Sequence, residues 1–205
     1  MCIRDRFHMG VSNTRRCWNM FQLPESVESA CNVGCCGIDG CVSTLVGASL
    51  VNPDRLCYVV VGDLTFFYDL NSLGNHHIGT NLRVMLVNNG RGTEFRLGIH
   101  HCNVFGDDAD KYMAAAGHFG NKSPLLVKHY AEDLGFHYLS ATTKEEFMTA
   151  LSNFTNPQLS DHSMILEVFT DSKDESEALY LMSHIQSDAK GMVRSKLKDA
   201  VRNVA

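Results

Sequence analysis

The order of apolar and polar segments predicts an α/β fold, a mostly parallel sheet with helices on both faces. Three observations carry this. Cys57 to Val61 (CYVVV) and Arg83 to Val87 (RVMLV) are nearly continuous apolar runs, as strands buried on both faces are. Segments of helical period separate the strand-like runs, so the two kinds of element alternate. With 44% hydrophobic and 20% charged residues over 205 positions, the chain has the composition of an ordinary globular domain and can bury a core without staples.

The alternation starts after residue 37. Val42 to Leu50 (VSTLVGASL) is small and apolar and reads as a closely packed helix. The first strand run follows, between Asp54-Arg55 and Gly62-Asp63. Thr65 to Ile78 has helical period, with Phe66, Leu70, Leu73 and His77 on one stripe, so His77 is expected to face the core. The second strand run stops at Asn88-Asn89-Gly90. Gly90 to Gly106 reads as a loop, and loops of that length are functional or disordered. Ala109 to Ala116 and Pro124 to Leu134 read as helices, the second with proline near its first turn. Phe136 to Leu139 is expected to be a strand. Thr143 to Phe154 is expected to be a helix with Thr143 and Glu146 at capping-box spacing. Met164 to Phe169 (MILEVF) reads as a strand and Asp174 to Ile185 as a helix. Lys190 to Val204 reads as a basic amphipathic helix with Met192, Val193, Leu197 and Val201 inward.

Met1 to Arg6 (MCIRDR) matches the translation of a transposon-end sequencing adapter and is set apart as an assembly artefact. Residues 7–24 read as the end of an upstream region, and residues 25–205 as one domain. Net charge is −5, which gives no general drive toward nucleic acid or an anionic membrane. No apolar run is long enough to span a bilayer, and Met1 to Val11 lacks the apolar core of a secretory signal, so the expected compartment is the cytoplasm. The eight cysteines include no C-x-x-C pair, and Cys31, Cys35, Cys36 and Cys41 lack zinc or iron–sulfur spacing; reduced, buried thiols are expected.

In open parallel sheets ligands bind beyond the carboxyl ends of the strands. The first such end here is Gly62-Asp63-Leu64-Thr65, the second Asn88-Asn89-Gly90-Arg91-Gly92. A carboxylate, an amide oxygen and a backbone carbonyl suit Mg²⁺, which keeps positions free for phosphate oxygens. The helix expected from Thr65 adds amide donors for the same oxygens. A capping aspartate and an asparagine turn would produce the same residues. His76-His77 and His100-His101 are adjacent pairs whose members diverge along a helix, so neither forms a chelate; His100 or His101 could contact substrate or relay protons. Gly34-x-x-Gly37-x-x-Gly40 is not the dinucleotide fingerprint.

Gly62-Asp63-Leu64, followed roughly two dozen residues later by Asn88-Asn89, resembles the Gly-Asp-Gly…Asn-Asn signature of the thiamine-diphosphate-dependent enzymes, with Leu64 in place of the third signature residue. Around it, Gly37-Ile38-Asp39-Gly40, Ser43-Thr44 and Tyr68-Asp69-Leu70-Asn71 resemble the menaquinone-pathway synthases of that family, from about Ser12 to Phe95; beyond Phe95 only the element order fits. The resemblance implies the family's C-terminal, diphosphate-binding domain. Asp63 and Asn89 would be side-chain ligands of Mg²⁺, and the Arg91 carbonyl the third. Gly62, Leu64 and Thr65 would line the diphosphate. Gly37 and Ile38 would contact the cofactor, Ile38 as the bulky prop that bends it. Asn13 and Thr14 match a further cofactor-contacting stretch.

The same resemblance implies an enzyme that decarboxylates or carboligates a 2-keto acid, as a homodimer or homotetramer. No catalytic residue is expected within this chain. The activating glutamate comes from an upstream domain or a second subunit, and Glu25, Glu28 and Glu94 lack its context. Two departures bear on substrate. The synthases' Asn-Arg-Gly reads Asn32-Val33-Gly34 here, and Trp18 stands where a helix arginine is expected. Both arginines would hold substrate carboxylates, so relatives acting on another 2-keto acid are expected. The alternatives are a non-catalytic nucleotide- or phosphate-binding α/β module and a redox or metal protein built on the cysteines.

Overall fold

The computed structural model of the chain describes residues 5–34, 36–97, 100–113, 117–120, 122–156 and 161–185. The chain divides into two compact units, residues 1–172 and 173–205. The first holds strands β1 (Arg6–Met9), β2 (Glu28–Cys31), β3 (Cys57–Gly62), β4 (Leu82–Asn88), β5 (His137–Ala141) and β6 (Met164–Phe169). They form one sheet of order β2-β1-β3-β4-β6-β5, and every neighbouring pair is parallel. Its helices are α1 (Asn13–Trp18), α2 (Cys41–Leu50), α3 (Asp63–Asp69), α4 (Ala109–Tyr112), α5 (Leu126–Asp133) and α6 (Lys144–Phe154). Helix α7 (Ser172–His184) lies almost wholly in the second unit; it carries Asp174 and Glu175 in its first turn and His184 in its last, a charge order that complements its dipole.

The α/β class and the parallel sheet are as the sequence predicts. The alternation of β3 shows why both faces are covered. Val59 and Val61 enter one cluster with Val42 and Leu45 of α2 and Val127 of α5. Tyr58 and Val60 enter the other with Ala150 and Phe154 of α6. Val59 and Val61 are fully buried, and each such side chain contributes on the order of 1.5–3 kcal/mol. Thr143 closes the capping box of α6: its Oγ1 accepts from the Glu146 amide at 3.2 Å, and Glu146 Oε2 accepts from the Thr143 amide at 3.2 Å.

Several elements differ from expectation. β1 and β2 come from a stretch in which no strand was read, because each is four residues long and β2 is polar and mostly exposed at the sheet edge. The helix expected over Thr65 to Ile78 starts at Asp63, ends at Asp69 and gives way to a 3₁₀ turn, Leu70–Gly74. His77 is therefore exposed rather than core-facing; its amide donates to Asn75 Oδ1 at 3.0 Å in the turn that replaces the last helical residues. The long loop after Gly90 contains 3₁₀ turns at Thr93–Arg96 and His101–Asp108. Pro124 precedes α5 in a turn. Residues 114–116 of the expected Ala109 to Ala116 helix and the whole expected helix from Lys190 lie outside the described residues.

Burial pushes the Cys41 and Cys57 thiols up to about 11. Cys36 is exposed, and Cys17, Cys31 and Cys102 are half-buried, so the expectation of buried thiols holds for Cys41 and Cys57 alone among the described cysteines. Among the described residues no group of three or more His, Cys, Asp or Glu could hold a metal, and no helix is long and apolar enough to cross a membrane.

The sheet order fixes where a ligand can enter. β2 pairs on one side of β1 and β3 on the other, so the order in which strands are added reverses there, the kind of position beyond whose carboxyl ends open parallel sheets bind ligands. Gly10 permits the close approach: a Cβ there would sit 3.2 Å from the Val60 carbonyl oxygen.

Candidate cofactor and metal site

Gly62 ends β3 and Asp63 begins α3 with no intervening loop. Asp63 is 2% exposed. Its Oδ1 accepts from the Leu64 amide at 2.8 Å and its Oδ2 from the Arg91 amide at 3.1 Å. Burial raises its carboxyl above the usual range, while nearby His118 and the amide donors pull it back. His118 Nε2 lies 2.9 Å from Asp63 Oδ2, and its other ring nitrogen, Nδ1, accepts from the Gly120 amide at 2.8 Å. Thr65 is buried and Leu64 half-buried in the first turn of α3, beside the amides that open the helix.

β4 ends at Asn88, next to β3. Asn89 Oδ1 accepts from the Arg91 amide at 3.0 Å, and its Nδ2 donates to Thr93 Oγ1 at 2.8 Å. Gly90 between them has φ +74°, a left-handed conformation that suits glycine. One amide, that of Arg91, thus donates to an oxygen of Asp63 and an oxygen of Asn89, which arrive from adjacent strands, and the Arg91 carbonyl is in the same residue. The three positions expected to ligate a metal come together. Their donor set of carboxylate, amide and carbonyl oxygens fits Mg²⁺.

Asn13 and Thr14 open α1 just after β1, at the same end of the sheet. Arg16, in that turn, donates to Asn13 Oδ1 at 3.1 Å and to Glu94 Oε1 at 2.6 Å. Burial alone would raise the Glu94 carboxyl; hydrogen bonds from Ser12 and Arg16 and the Arg16 charge more than offset it and leave it below the usual range. Gly37 and Ile38 are half-buried in the loop before α2. That loop is braced by Asn32 Nδ2, which donates to the Gly40 carbonyl at 3.1 Å, and α2 is tied to α3 by the Ser43 amide donating to Asp69 Oδ2 at 2.7 Å. His100 turns its Nδ1 onto the Cys102 amide at 3.1 Å, while His101 is exposed.

Trp18, read as standing in an arginine position, is a packing residue: its ring lies 4.6 Å from that of Phe7. The guanidinium that faces the site loop belongs to Arg16, two residues earlier. Four further residues, His118, Arg16, Glu94 and Glu167, were given no place at the site by the sequence reading. His118 gave no local sign that it returns to Asp63. Arg16 and Glu94 lie 78 positions apart. Glu167 did leave a signal, a single carboxylate inside an apolar strand run.

The all-parallel six-stranded sheet, with oxygen donors gathered where two of its strands end, places the chain among the α/β domains whose ligand sites lie beyond the strand ends. No family model matches the chain. Over 172 residues, 84% of its length, it is 34% identical to the 2-succinyl-5-enolpyruvyl-6-hydroxy-3-cyclohexene-1-carboxylate synthase of Bacteroides fragilis. It is 35% identical over 175 residues to the synthase of that name from Phocaeicola vulgatus, and 36% over 172 residues to that from Christiangramia forsetii, again covering 84% of the chain. The chain spans 29%, 29% and 28% of the lengths of these relatives. It is thus related to the menaquinone-pathway synthases over most of its length, and the likeness runs well beyond Phe95.

Proposed function

We propose that this chain is the thiamine-diphosphate- and Mg²⁺-binding domain of an enzyme that decarboxylates or carboligates a 2-keto acid. The observation that carries the reading is the Arg91 amide held between Asp63 Oδ2 at 3.1 Å and Asn89 Oδ1 at 3.0 Å. In this reading the two side chains and the Arg91 carbonyl would hold Mg²⁺, which would supply positive charge for a diphosphate. Gly62, Leu64 and Thr65 line the diphosphate with the amides that open α3. Gly37 and Ile38 contact the body of the cofactor, with Ile38 as its prop, and Asn13 and Thr14 lie along it. Bound thiamine diphosphate supplies the electron sink into which carbon dioxide departs; the protein binds, orients and excludes water. An upstream domain or a second subunit supplies the activating glutamate, in a homodimer or homotetramer.

The substrate reading rests on two positions. Val33 removes one carboxylate-binding arginine, which favours a 2-keto acid other than that of the named relatives. Arg16 places a guanidinium at the site, but it is already paired with Glu94 and Asn13, so it does not replace the arginine lost at Val33.

Calorimetry with thiamine diphosphate, with and without MgCl₂, tests the binding. Affinity that depends on Mg²⁺ is expected. Mg²⁺-independent binding, or binding of nucleoside phosphates in its place, would leave the non-catalytic phosphate-binding module. Carbon dioxide release from a panel of 2-keto acids tests completeness. This chain alone should stay at the cofactor-only background, and turnover above it would show that the chain carries a whole active site.

A further inference from the structure

Beneath the Asn89 turn lies a buried polar cluster that the cofactor reading does not use. Glu167 stands in the middle of β6 and is 1% exposed. A buried carboxylate is unfavourable unless hydrogen-bonded, and an apolar residue of similar volume would commonly pack there at no loss of stability. Two donors satisfy it: Tyr138 Oη from β5 at 2.7 Å and Asn88 Nδ2 from β4 at 2.7 Å. Asn88 is itself 1% exposed. Its Oδ1 accepts from the Gly90 amide at 3.3 Å.

An asparagine amide can face two ways, with its NH₂ or its oxygen toward a neighbour. A carboxylate oxygen only accepts, so it selects the orientation that presents Nδ2. The Tyr138 hydroxyl occupies the other carboxylate oxygen. Asn88 Oδ1 is then left facing the turn, where it takes the Gly90 amide, one residue before the Arg91 amide that bridges Asp63 and Asn89. We propose that Glu167 is a positioning residue: with Tyr138 behind it, it fixes Asn88, and through Asn88 it sets the Asn89–Arg91 turn that presents the metal-binding oxygens. The proposal rests on the Mg²⁺ reading of that turn.

The test has two arms on the intact protein. The first is amide hydrogen exchange without any cofactor. Glu167→Met keeps the volume and removes the acceptor; Asn88→Asp sets two carboxylates against each other. In each, the Gly90 and Arg91 amides should exchange about tenfold faster, the scale of one charge-assisted hydrogen bond, while Val59 and Ile165 keep the parent rates. Combining Asn88→Asp with Glu167→Gln exchanges carboxylate and amide across the contact and should restore the parent rates to within about threefold. Should Glu167→Met fail to fold, Asn88→Asp and the swap carry the test. The second arm is calorimetry with thiamine diphosphate and Mg²⁺, in which Asn88→Asp should raise the Mg²⁺ requirement about tenfold and the swap should return it. Unchanged Gly90 and Arg91 exchange, uniform acceleration across the sheet, or a swap that restores nothing would overturn the positioning role. A parent protein that fails to bind thiamine diphosphate with Mg²⁺, while the exchange results hold, would sink the cofactor reading instead.

Discussion

Asp63→Asn removes a charge and no volume. In the ligand-free protein the asparagine oxygen can keep one of the two amide donors, Leu64 or Arg91, and its NH₂ must face the other. A buried donor left without an acceptor costs about 1–3 kcal/mol. Removing a carboxylate that is 2% exposed relieves a desolvation penalty of comparable size. The net change should be within about 1 kcal/mol, which moves the melting temperature of a chain this long by roughly 2–4 °C. Metal binding has no such offset. Asp63 carries the only formal charge among the three expected ligands. Loss of a group that merely orients a ligand costs 10–100-fold in affinity, so losing the ligand itself should cost at least about 100-fold, near 3 kcal/mol. The assay is calorimetry of thiamine diphosphate at graded Mg²⁺, beside a thermal melt. A folded Asp63→Asn protein with the parent's Mg²⁺ dependence would refute the metal assignment. Asp63→Ala is less clean, because it strands the Leu64 and Arg91 amides together.

Ile38→Ala should lower turnover of the complete enzyme more than its cofactor affinity; parent-like kinetics at saturating cofactor would remove the prop role. Thr143→Ala opens the capping box and should cost about 1 kcal/mol in urea unfolding, whereas Thr143→Ser should stay near the parent. His8 is 4% exposed, and burial lowers its imidazole below the ordinary value, against a raising hydrogen bond with Asn32. The unfolded chain then binds a proton near pH 6.5 that the folded chain takes up only at lower pH, so the stability contribution is full above about pH 6.5 and is lost as pH falls below it. Urea midpoints at pH 7.5 and 5.5 should converge in His8→Gln relative to the parent; equal pH sensitivity in both proteins would contradict the shift.

Much of the fold was legible because parallel strands are buried on both faces and leave unbroken apolar runs. That is why β3, β4 and β6 stand where the sequence places them, and why Thr143 and Glu146 mark the start of α6. β1 and β2 were not legible. Four residues are too few to show a period, and His8 and Glu28 disguise them as loop. The division of the Thr65 to Ile78 segment at Asp69 escaped because a 3₁₀ turn keeps Leu73 buried, as a continuing helix would. In the site, Asp63, Asn89 and Arg91 were found by local spacing at two strand ends. His118, Arg16 with Glu94, and Glu167 with Tyr138 depend on returns of the chain that spacing does not encode. Gly37 and Ile38, in the loop before α2, were named by the motif alone.

Asn89-Gly90 is the dipeptide most prone to spontaneous deamidation, in which the glycine amide nitrogen attacks the asparagine carboxamide to form a succinimide. In a flexible turn, that chemistry would slowly turn Asn89 into aspartate and isoaspartate, one mass unit heavier and, in the isoaspartate, with a lengthened backbone. Here the attacking nitrogen is engaged by Asn88 Oδ1 at 3.3 Å, and the Asn89 carboxamide is held at both ends, by the Arg91 amide at 3.0 Å and by Thr93 Oγ1 at 2.8 Å. The closed turn therefore also acts as a preservative. Its chemical lifetime is set by how often it opens, and an ageing sample should accumulate the heavier species at Asn89 in step with that opening.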